Sequence, residues 1–373
     1  MTAARVGGRL MFGFGERVPG FIAPCSGNSR FVFDSVAGRY VVLALLGSAA
    51  QAPVAEALRV VTARGAMFDD ERSCFFGVTA DPVDFDQGRV VNRIPGIRFF
   101  DDRSLEVSRA YRAIEREAGG PGSVYRPYAL LLDPTLRVIA MRPIAELAAL
   151  LDQLDRLPPP ALHTGIETHA PVLIAPRVFE PEFCRMLIGQ YEAHGGEESG
   201  FMRQIDGKTV LVKDNNFKRR TDHMVEDEKI QEACRNRILQ RLVPEIQRAF
   251  NFKVTRMERY LVARYDSETG GHFRPHRDNT TKGTAHRRFA VSINLNAGEF
   301  EGGDLRFAEF GPRSYRPPTG GAVVFGCSLL HEVLPVTKGA RFAFLPFLYD
   351  DEAAKIREAN LKYLDLGGAQ AAG

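Results

Sequence analysis

The sequence predicts two domains, an α/β domain followed by a mainly antiparallel β domain with supporting helices. Three observations predict it. At 373 residues the chain exceeds what one ordinary hydrophobic core serves. In the first half, continuous apolar runs alternate with helical patterns, the mark of a sheet covered by helices. In the last third, the apolar residues recur every second position, as in strands with one face toward a core. Proline-rich Leu157-Pro-Pro-Pro-Ala161 separates the two regions. The expected division is a domain over 1–157, a linker over 158–169, a second domain over 170–352 and a C-terminal tail over 353–373.

Composition narrows the function classes. Apolar residues make up 45% and charged residues 25% of the chain, as in folded globular proteins, and a net charge of +3 is too small to predict a nucleic-acid or membrane partner. Lys218-Arg219-Arg220 and His286-Arg287-Arg288 are the densest basic clusters, and such triplets read as solvated surface. Cys25, Cys74, Cys184, Cys234 and Cys327 show no Cys-x-x-Cys spacing, which predicts neither a zinc knuckle nor a disulfide framework. No apolar run reaches membrane-spanning length, and residues 1–21 lack the apolar stretch of a signal peptide. A cytoplasmic protein with reduced thiols is expected.

In chain order, Tyr40-Val-Val-Leu-Ala-Leu-Leu46 reads as a strand buried on both faces, 53–64 as a helix stopped by Gly65, and Cys74-Phe-Phe-Gly-Val-Thr79 as a second buried strand. Residues 104–117 read as an amphipathic helix, with Leu105, Val107, Ala110, Tyr111 and Ile114 near helical spacing and Ser104 at the N-cap. Tyr128 to Asp133 and Leu136 to Met141 read as a hairpin about Pro134, and 144–157 as a last helix. Beyond the linker, Pro171-Val-Leu-Ile174 reads as a strand, and 180–194 as a helix with Phe183, Met186, Leu187 and Tyr191 on one face. Residues 199–224, rich in Gly, Asn, Asp, Lys and Arg, read as a long loop, either disordered or functional, and lids over active sites are a common use of such loops. One long helix is predicted over 226–250, open to a kink at Pro244.

Phe289-Ala-Val-Ser-Ile-Asn-Leu-Asn296 alternates cleanly, and 305–310, 322–327 and 341–349 are further strands between Gly- and Pro-rich turns. This predicts a double-sheet barrel of jelly-roll type, in which inward side chains near one mouth converge from distant parts of the chain. His276 and Asp278 flank one residue, so an extended backbone sends both to one side, where imidazole and carboxylate can share a metal face. His331 follows a strand-like run and is placed to arrive across the barrel as a third ligand. Two imidazoles and one carboxylate suit ferrous iron and leave positions open for other ligands. Ten residues later, Arg341 begins the last strand, where an inward guanidinium could grip a carboxylate through two parallel hydrogen bonds. Lys338 is its rival. Tyr265 reads either as a site residue or as a packed core tyrosine, and His272 and His286 read as exposed polar residues.

Together with Gly302-Gly303 ahead of Asp304-Leu-Arg-Phe, these motifs make residues from about 170 to 350 resemble the Fe(II)- and 2-oxoglutarate-dependent dioxygenases, in particular the prolyl 4-hydroxylase-like group. The resemblance implies iron on His276, Asp278 and His331, the distal carboxylate of 2-oxoglutarate on Arg341 and a cosubstrate hydrogen bond from Tyr265. It also implies O2 as a second cosubstrate and ascorbate as a candidate reductant. Oxidative decarboxylation of 2-oxoglutarate would be coupled to hydroxylation of a C–H bond. Related halogenases leave the carboxylate position to chloride, so Asp278 favours hydroxylation. Arg219, Arg220 and Thr221 resemble the family's lid segment, where an arginine can meet substrate. Phe273 stands where the prolyl hydroxylase pattern usually has a tyrosine, and the chain has no tryptophan, so prolyl specificity does not follow. A protein or peptide side chain is the expected substrate ahead of a small molecule, and a homo-oligomer is compatible with the sequence.

The run Gly15-Glu-Arg-Val-Pro-Gly-Phe21, with Arg126-Pro127 before Asp133-Pro134, resembles the peroxiredoxin branch of the thioredoxin-like fold over about 12–157. That family places a peroxidatic cysteine, after a threonine, in the first turn of the helix that follows the first buried strand, where the helix N-terminus lowers the thiol pKa. Here the stretch is Gly47-Ser-Ala-Ala-Gln-Ala-Pro-Val54, without cysteine. The domain is therefore expected to bind, position or dimerise, with Arg126 a surface or structural residue. The alternative function, a thiol peroxidase or redox-interaction protein, rests on Cys25 in its Pro-Cys-Ser-Gly loop, ahead of Cys74 at the start of a buried strand.

Overall fold

The computed structural model describes residues 5–6, 9–10, 12–116 and 123–365, and the chain forms two compact units, Met1–His169 with Ala308–Pro312, and Ala170–Phe307 with Arg313–Gly373. In the first unit, seven strands form one sheet: β1 (Ile22–Cys25), β2 (Asn28–Val32), β3 (Tyr40–Gly47), β4 (Ser73–Thr79), β5 (Ile97–Asp101), β6 (Tyr128–Leu132) and β7 (Val138–Pro143). Their order is β7-β6-β3-β4-β5-β1-β2, with β3, β4 and β5 parallel and β6 antiparallel to both β3 and β7. This is an α/β arrangement, a mixed sheet with α-helices packed on it. Every residue of β3 is buried, as its unbroken apolar run predicts. One face packs Val42, Ala44 and Leu46 against Val54, Ala57 and Val61 of α1 (Ala52–Ala63) and Leu150, Leu151 and Leu154 of α2 (Leu147–Asp155). Each fully buried leucine contributes roughly 1.5–3 kcal/mol.

The helix expected over 104–117 shrinks to Glu106–Ala110, followed by a short strand at Ile114–Arg116, and residue 117 lies outside the described residues. Two left-handed residues bound it, Leu105 (φ 62°) and Arg112 (φ 60°). The cap is not Ser104 but the buried Asp102, whose carboxylate accepts from Val107 N at 3.0 Å and Ser108 N at 2.7 Å.

The second unit contains three further helices of eight or more residues before its central strands: α3 (Pro181–His194), α4 (Glu228–Arg241) and α5 (Val243–Phe250). The single helix expected over 226–250 is thus two. Asp227 caps α4 through Lys229 N and Ile230 N, and Pro244 sits in the first turn of α5, where its missing N–H costs nothing. The 199–224 stretch is not one loop but strands β9 (Phe201–Ile205), β10 (Lys208–Val212), β11 (Lys218–Arg219) and β12 (Thr221–Met224), which follow β8 (Leu173–Ala175). The later strands are β13 (Leu261–Asp266), β14 (His272–His276), β15 (Phe289–Asn294), β16 (Leu305–Arg306), β17 (Ala322–Gly326), β18 (His331–Val333), β19 (Ala340–Phe344) and β20 (Phe347–Tyr349). The run expected over 305–310 leaves its strand after Arg306 for a helical turn at Ala308–Phe310, and the last strand is interrupted between Phe344 and Phe347.

A nine-stranded sheet has the main path β8-β17-β15-β19-β13-β12 and ends on Glu197–Glu198; a five-stranded sheet runs β11-β14-β18-β16 and ends on Ser314–Tyr315. Helices α3, α4 and α5 pack Leu187, Ile238 and Ile246 with Val291, Ile293, Phe342 and Phe344 of the larger sheet. Strand alternation therefore sends Ser292, Asn294 and Arg341 to the opposite face. The stretch expected to be a tail folds instead into α6 (Asp351–Asn360), and Leu364–Asp365 pairs parallel with β10; residues 366–373 lie outside the described residues. Among the described residues, no helix is long and apolar enough to cross a membrane.

The second basic triplet is not solvated surface. His286 is buried, and it and Arg287 donate to Glu258 at 2.9 and 2.7 Å, with Arg357 at 3.4 Å. Burial works against the Glu258 charge, but His286 and Arg287 outweigh it and hold the carboxyl at about 2, below its ordinary 4.5. A depressed carboxyl pKa contributes stability above the unfolded value that is lost as pH falls through the folded one. Glu258→Gln is therefore expected to cost on the order of 3 kcal/mol at neutral pH and to flatten the stability curve between pH 4.5 and 2, read by urea denaturation across pH.

Candidate active site

The three predicted metal-ligating residues meet. His276 ends β14 and pairs in register with His331 at the start of β18, while Asp278 N, two residues on, donates to Cys327 O at 2.9 Å. One donor atom from each side chain lies within 4.8 Å of the others, a spacing that could hold a metal ion. His276 Nε2 is 3.6 Å from Asp278 Oδ1, and His331 Nε2 is 3.4 Å from Asp278 Oδ2. The opposite ring nitrogens face backbone carbonyls, His276 Nδ1 to Arg274 O at 2.8 Å and His331 Nδ1 to Leu329 O at 3.0 Å. With each Nδ1 donating to its carbonyl, both Nε2 atoms are turned toward Asp278. Burial opposes the Asp278 charge, yet His331 and His276 hold its carboxyl well below the usual range. Burial and the neighbouring His276 bring His331 down to about 4, so it is neutral at pH 7.

Arg341 and Tyr265 meet beside one another, paired in register across β19 and β13, with the guanidinium 5.4 Å from the ring centroid. Arg341 is buried. Its Nη2 donates to Ser292 Oγ at 2.7 Å and its Nε to Asn294 Oδ1 at 3.2 Å, while Nη1 has no hydrogen-bond partner. Burial draws the guanidinium pKa down, though it remains a cation. An orphaned donor on a buried cation fits a ligand's carboxylate. The rival Lys338 is exposed and pairs with Glu301 at 3.1 Å.

Residues 260–349, which span all five of these side chains, match the family model of the 2OG-Fe(II) oxygenase superfamily. The match to this oxygenase family thus falls within the second unit, residues 308–312 apart. Among solved structures, the chain is similar to a prolyl hydroxylase from Trichoplax adhaerens in complex with a hypoxia inducible factor peptide fragment, at 19% identity and a TM-score of 0.39, covering 53% of this chain and 89% of that one. A Pseudomonas putida prolyl-4-hydroxylase matches at 18% identity and a TM-score of 0.36, covering 54% of this chain and 97% of that one. The Mycobacterium tuberculosis peroxidoxin BcpB matches at 17% identity and a TM-score of 0.33, covering 40% of this chain and 99% of that one.

Sequence reasoning missed part of the second unit's interior. Lys218 and Arg220, expected at the surface, are 4% and 8% exposed, and only Arg219 between them is exposed. Lys218 pairs in register with Phe273 and lies over its ring at 4.8 Å; that ring stacks on His276 at 3.5 Å. Phe217 and Phe201 extend the aromatic wall, 5.7 and 6.5 Å from Phe273 and 4.5 Å from each other. Arg220 donates to Tyr265 OH at 3.3 Å and to Asp222 at 2.7 Å. Of the histidines set aside, the half-buried His272 meets Gly270 O at 2.7 Å, and His286 belongs to the Glu258 cluster.

In the first unit, Cys25 is not on an open loop. It ends β1 at 3% exposure, and burial pushes its thiol up despite Ser26 and Arg98. Cys74 is fully buried and pushed to about 12. Just ahead of α1, the N–H of Ala49 donates at 2.8 Å to the buried carboxylate of Asp84, which also takes Thr79 Oγ1 at 2.5 Å and Arg89 Nη1 at 3.2 Å. Arg126 is exposed and pairs with Glu115.

Proposed function

We propose that His276, Asp278 and His331 hold Fe(II), that Arg341 takes the distal carboxylate of 2-oxoglutarate with Tyr265 beside it, and that the enzyme hydroxylates a protein or peptide side chain. The convergence of two Nε2 lone pairs and one ionised carboxylate within 4.8 Å carries the reading. When bound, iron with 2-oxoglutarate and O2 supplies the oxidising power for C–H hydroxylation, leaving succinate and carbon dioxide. His276 and His331 offer imidazole nitrogens whose orientation the Arg274 and Leu329 carbonyls fix. Asp278 stays ionised and supplies the only negative charge of the set. Ser292 and Asn294 hold the Arg341 guanidinium, so that Nη1 is left for the cosubstrate. Phe273 shields one face of His276 from water.

The nine- and five-stranded sheets are the two walls of the proposed jelly roll. In its three-stranded sheet, β9 is an edge strand, and its Phe201 leads through Phe217 and Phe273 to His276, which favours an extended peptide that adds to that edge. The proposed domains are 1–157 and 170–352 about the 158–169 linker, in a cytoplasmic protein, with ascorbate as the reductant to test. The thiol-peroxidase alternative is the weaker reading, because Cys25 and Cys74 are buried with raised pKa values.

Anaerobic addition of Fe(II) and 2-oxoglutarate to the purified protein is expected to produce a metal-to-ligand charge-transfer band. Protein that loads with iron yet shows no band on saturation with 2-oxoglutarate would sink the reading.

A further inference from the structure

The buried cations around Ser199 outnumber their counter-ions. Lys218 Nζ donates to Ser199 Oγ at 2.7 Å and Gly200 O at 2.6 Å, and no carboxylate among the described residues lies within ion-pair distance of it. Arg220 Nη2 donates to the same Ser199 oxygen at 3.0 Å and to Asp222 Oδ2 at 2.7 Å, while its Nε is buried without a partner. Ser199 passes its own hydrogen to Asp222, so its oxygen serves both cations only as an acceptor. Arg259 draws on the same carboxylate, with Nη2 3.6 Å from Asp222 Oδ2. Asp222 is the one acid in ion-pair contact with this group, Asp278 acting on Lys218 and Glu258 on Arg259 from farther off, and Lys218 and Arg220 are more than nine-tenths buried. Buried charge without a counter-ion is costly, and an anionic ligand is the natural remedy.

The surplus lies next to the proposed metal centre. The Phe273 ring separates Lys218 from His276, and Arg220 reaches Tyr265. The 2-oxoglutarate carboxylate does not remove the surplus, since Arg341, with its own orphaned Nη1, takes it on the Ser292 and Asn294 side. We infer that Lys218 and Arg220 form a subsite for a carboxylate carried by the primary substrate, from an acidic side chain or a chain terminus. The position of this subsite relative to the chemistry rests on the proposed oxygenase reading. Burial, with Arg220 close by, pulls the Lys218 pKa well below that of an ordinary lysine, and a bound anion reverses that effect. Asp222 Oδ1 is also without a hydrogen-bond partner, so the subsite offers a place for a donor beside the anion.

The test uses thermal denaturation of the full chain, both metal-free and loaded with 2-oxoglutarate and Ni(II) in place of iron, so that no turnover occurs. The probes are N-acetyl-aspartate amide, N-acetyl-alanine and N-acetyl-asparagine amide, which carry a side-chain carboxylate, a terminal carboxylate and none. At least one acid is expected to raise the melting temperature saturably, the neutral amide is not, and the better acid names the source. Lys218→Met is expected to weaken that acid's apparent affinity about tenfold or more. Without probe, the variant is expected to melt at or above the wild type, because an unpaired buried charge has gone. Acid and amide acting alike, or full acid affinity in a folded Lys218→Met, would overturn the subsite. So would a Lys218→Met protein that melts far below the wild type, since the lysine would then be a structural donor to Ser199 and Gly200. Failure of the iron reading shows up separately, as a missing charge-transfer band in the wild type, while the acid titration of metal-free protein stands by itself.

Discussion

Asp278→Ala is expected to weaken iron binding more than about 100-fold, because even the outer partners of metal ligands are worth roughly 10–100-fold. Succinate release from 2-oxoglutarate should fall to background with it. Asp278 is the only carboxylate of the donor set, and the alanine variant leaves two imidazoles with no anion to balance a divalent charge. The variant also removes the group that sits 3.6 Å from His276 and 3.4 Å from His331, so the two rings lose their common partner. Iron content after desalting separates metal loss from a later defect. Wild-type iron retention together with wild-type succinate release would remove Asp278 from the centre.

Arg341→Ala is expected to raise the KM for 2-oxoglutarate by about two to four orders of magnitude, the equivalent of the 3–5 kcal/mol lost when one partner of a buried charge pair is removed. Iron binding should persist, since Arg341 touches Ser292, Asn294 and Tyr265 rather than the three donor side chains. Arg341→Lys should recover only part of the affinity. A lysine restores the charge but cannot hold Ser292 and Asn294 while offering a third N–H in the guanidinium plane. Titrating the charge-transfer band with 2-oxoglutarate measures affinity apart from turnover. An unchanged KM, or a larger effect from Lys338→Ala, would reassign the cosubstrate contact.

The parts of the fold legible in the sequence are those set by unbroken or strictly alternating apolar patterns. The run at Tyr40 gave the central strand of the first unit because both its faces are covered, and Phe289 to Asn294 gave a strand of the second because Val291 and Ile293 face the helices. Patterns failed where the backbone turned at residues with no turn signature. Leu105 and Arg112 adopt positive φ although neither is glycine, which cut the 104–117 helix short. The site was legible as far as one spacing, His276-x-Asp278, and two downstream residues could carry it. Lys218 and Arg220 were hidden because a triplet of charges looks alike on a surface and on a strand. Only the register of Lys218 with Phe273 shows that the outer two members point inward and Arg219 alone meets water. His286 and Arg287 were hidden for a related reason, since their partner Glu258 lies 28 and 29 residues away in the sequence.

The carboxylate of Asp84 ahead of α1 bears on any attempt to engineer a peroxidase from the first unit. A cysteine installed at Ala49 or beside it would not find the free amide and positive helix end that favour a thiolate, because the Ala49 N–H is already committed to an anion. The new sulfur would share its surroundings with a like charge, which raises a thiol pKa and slows attack on peroxide. Redesign would have to begin with Asp84 itself, and then find other partners for Thr79 and Arg89.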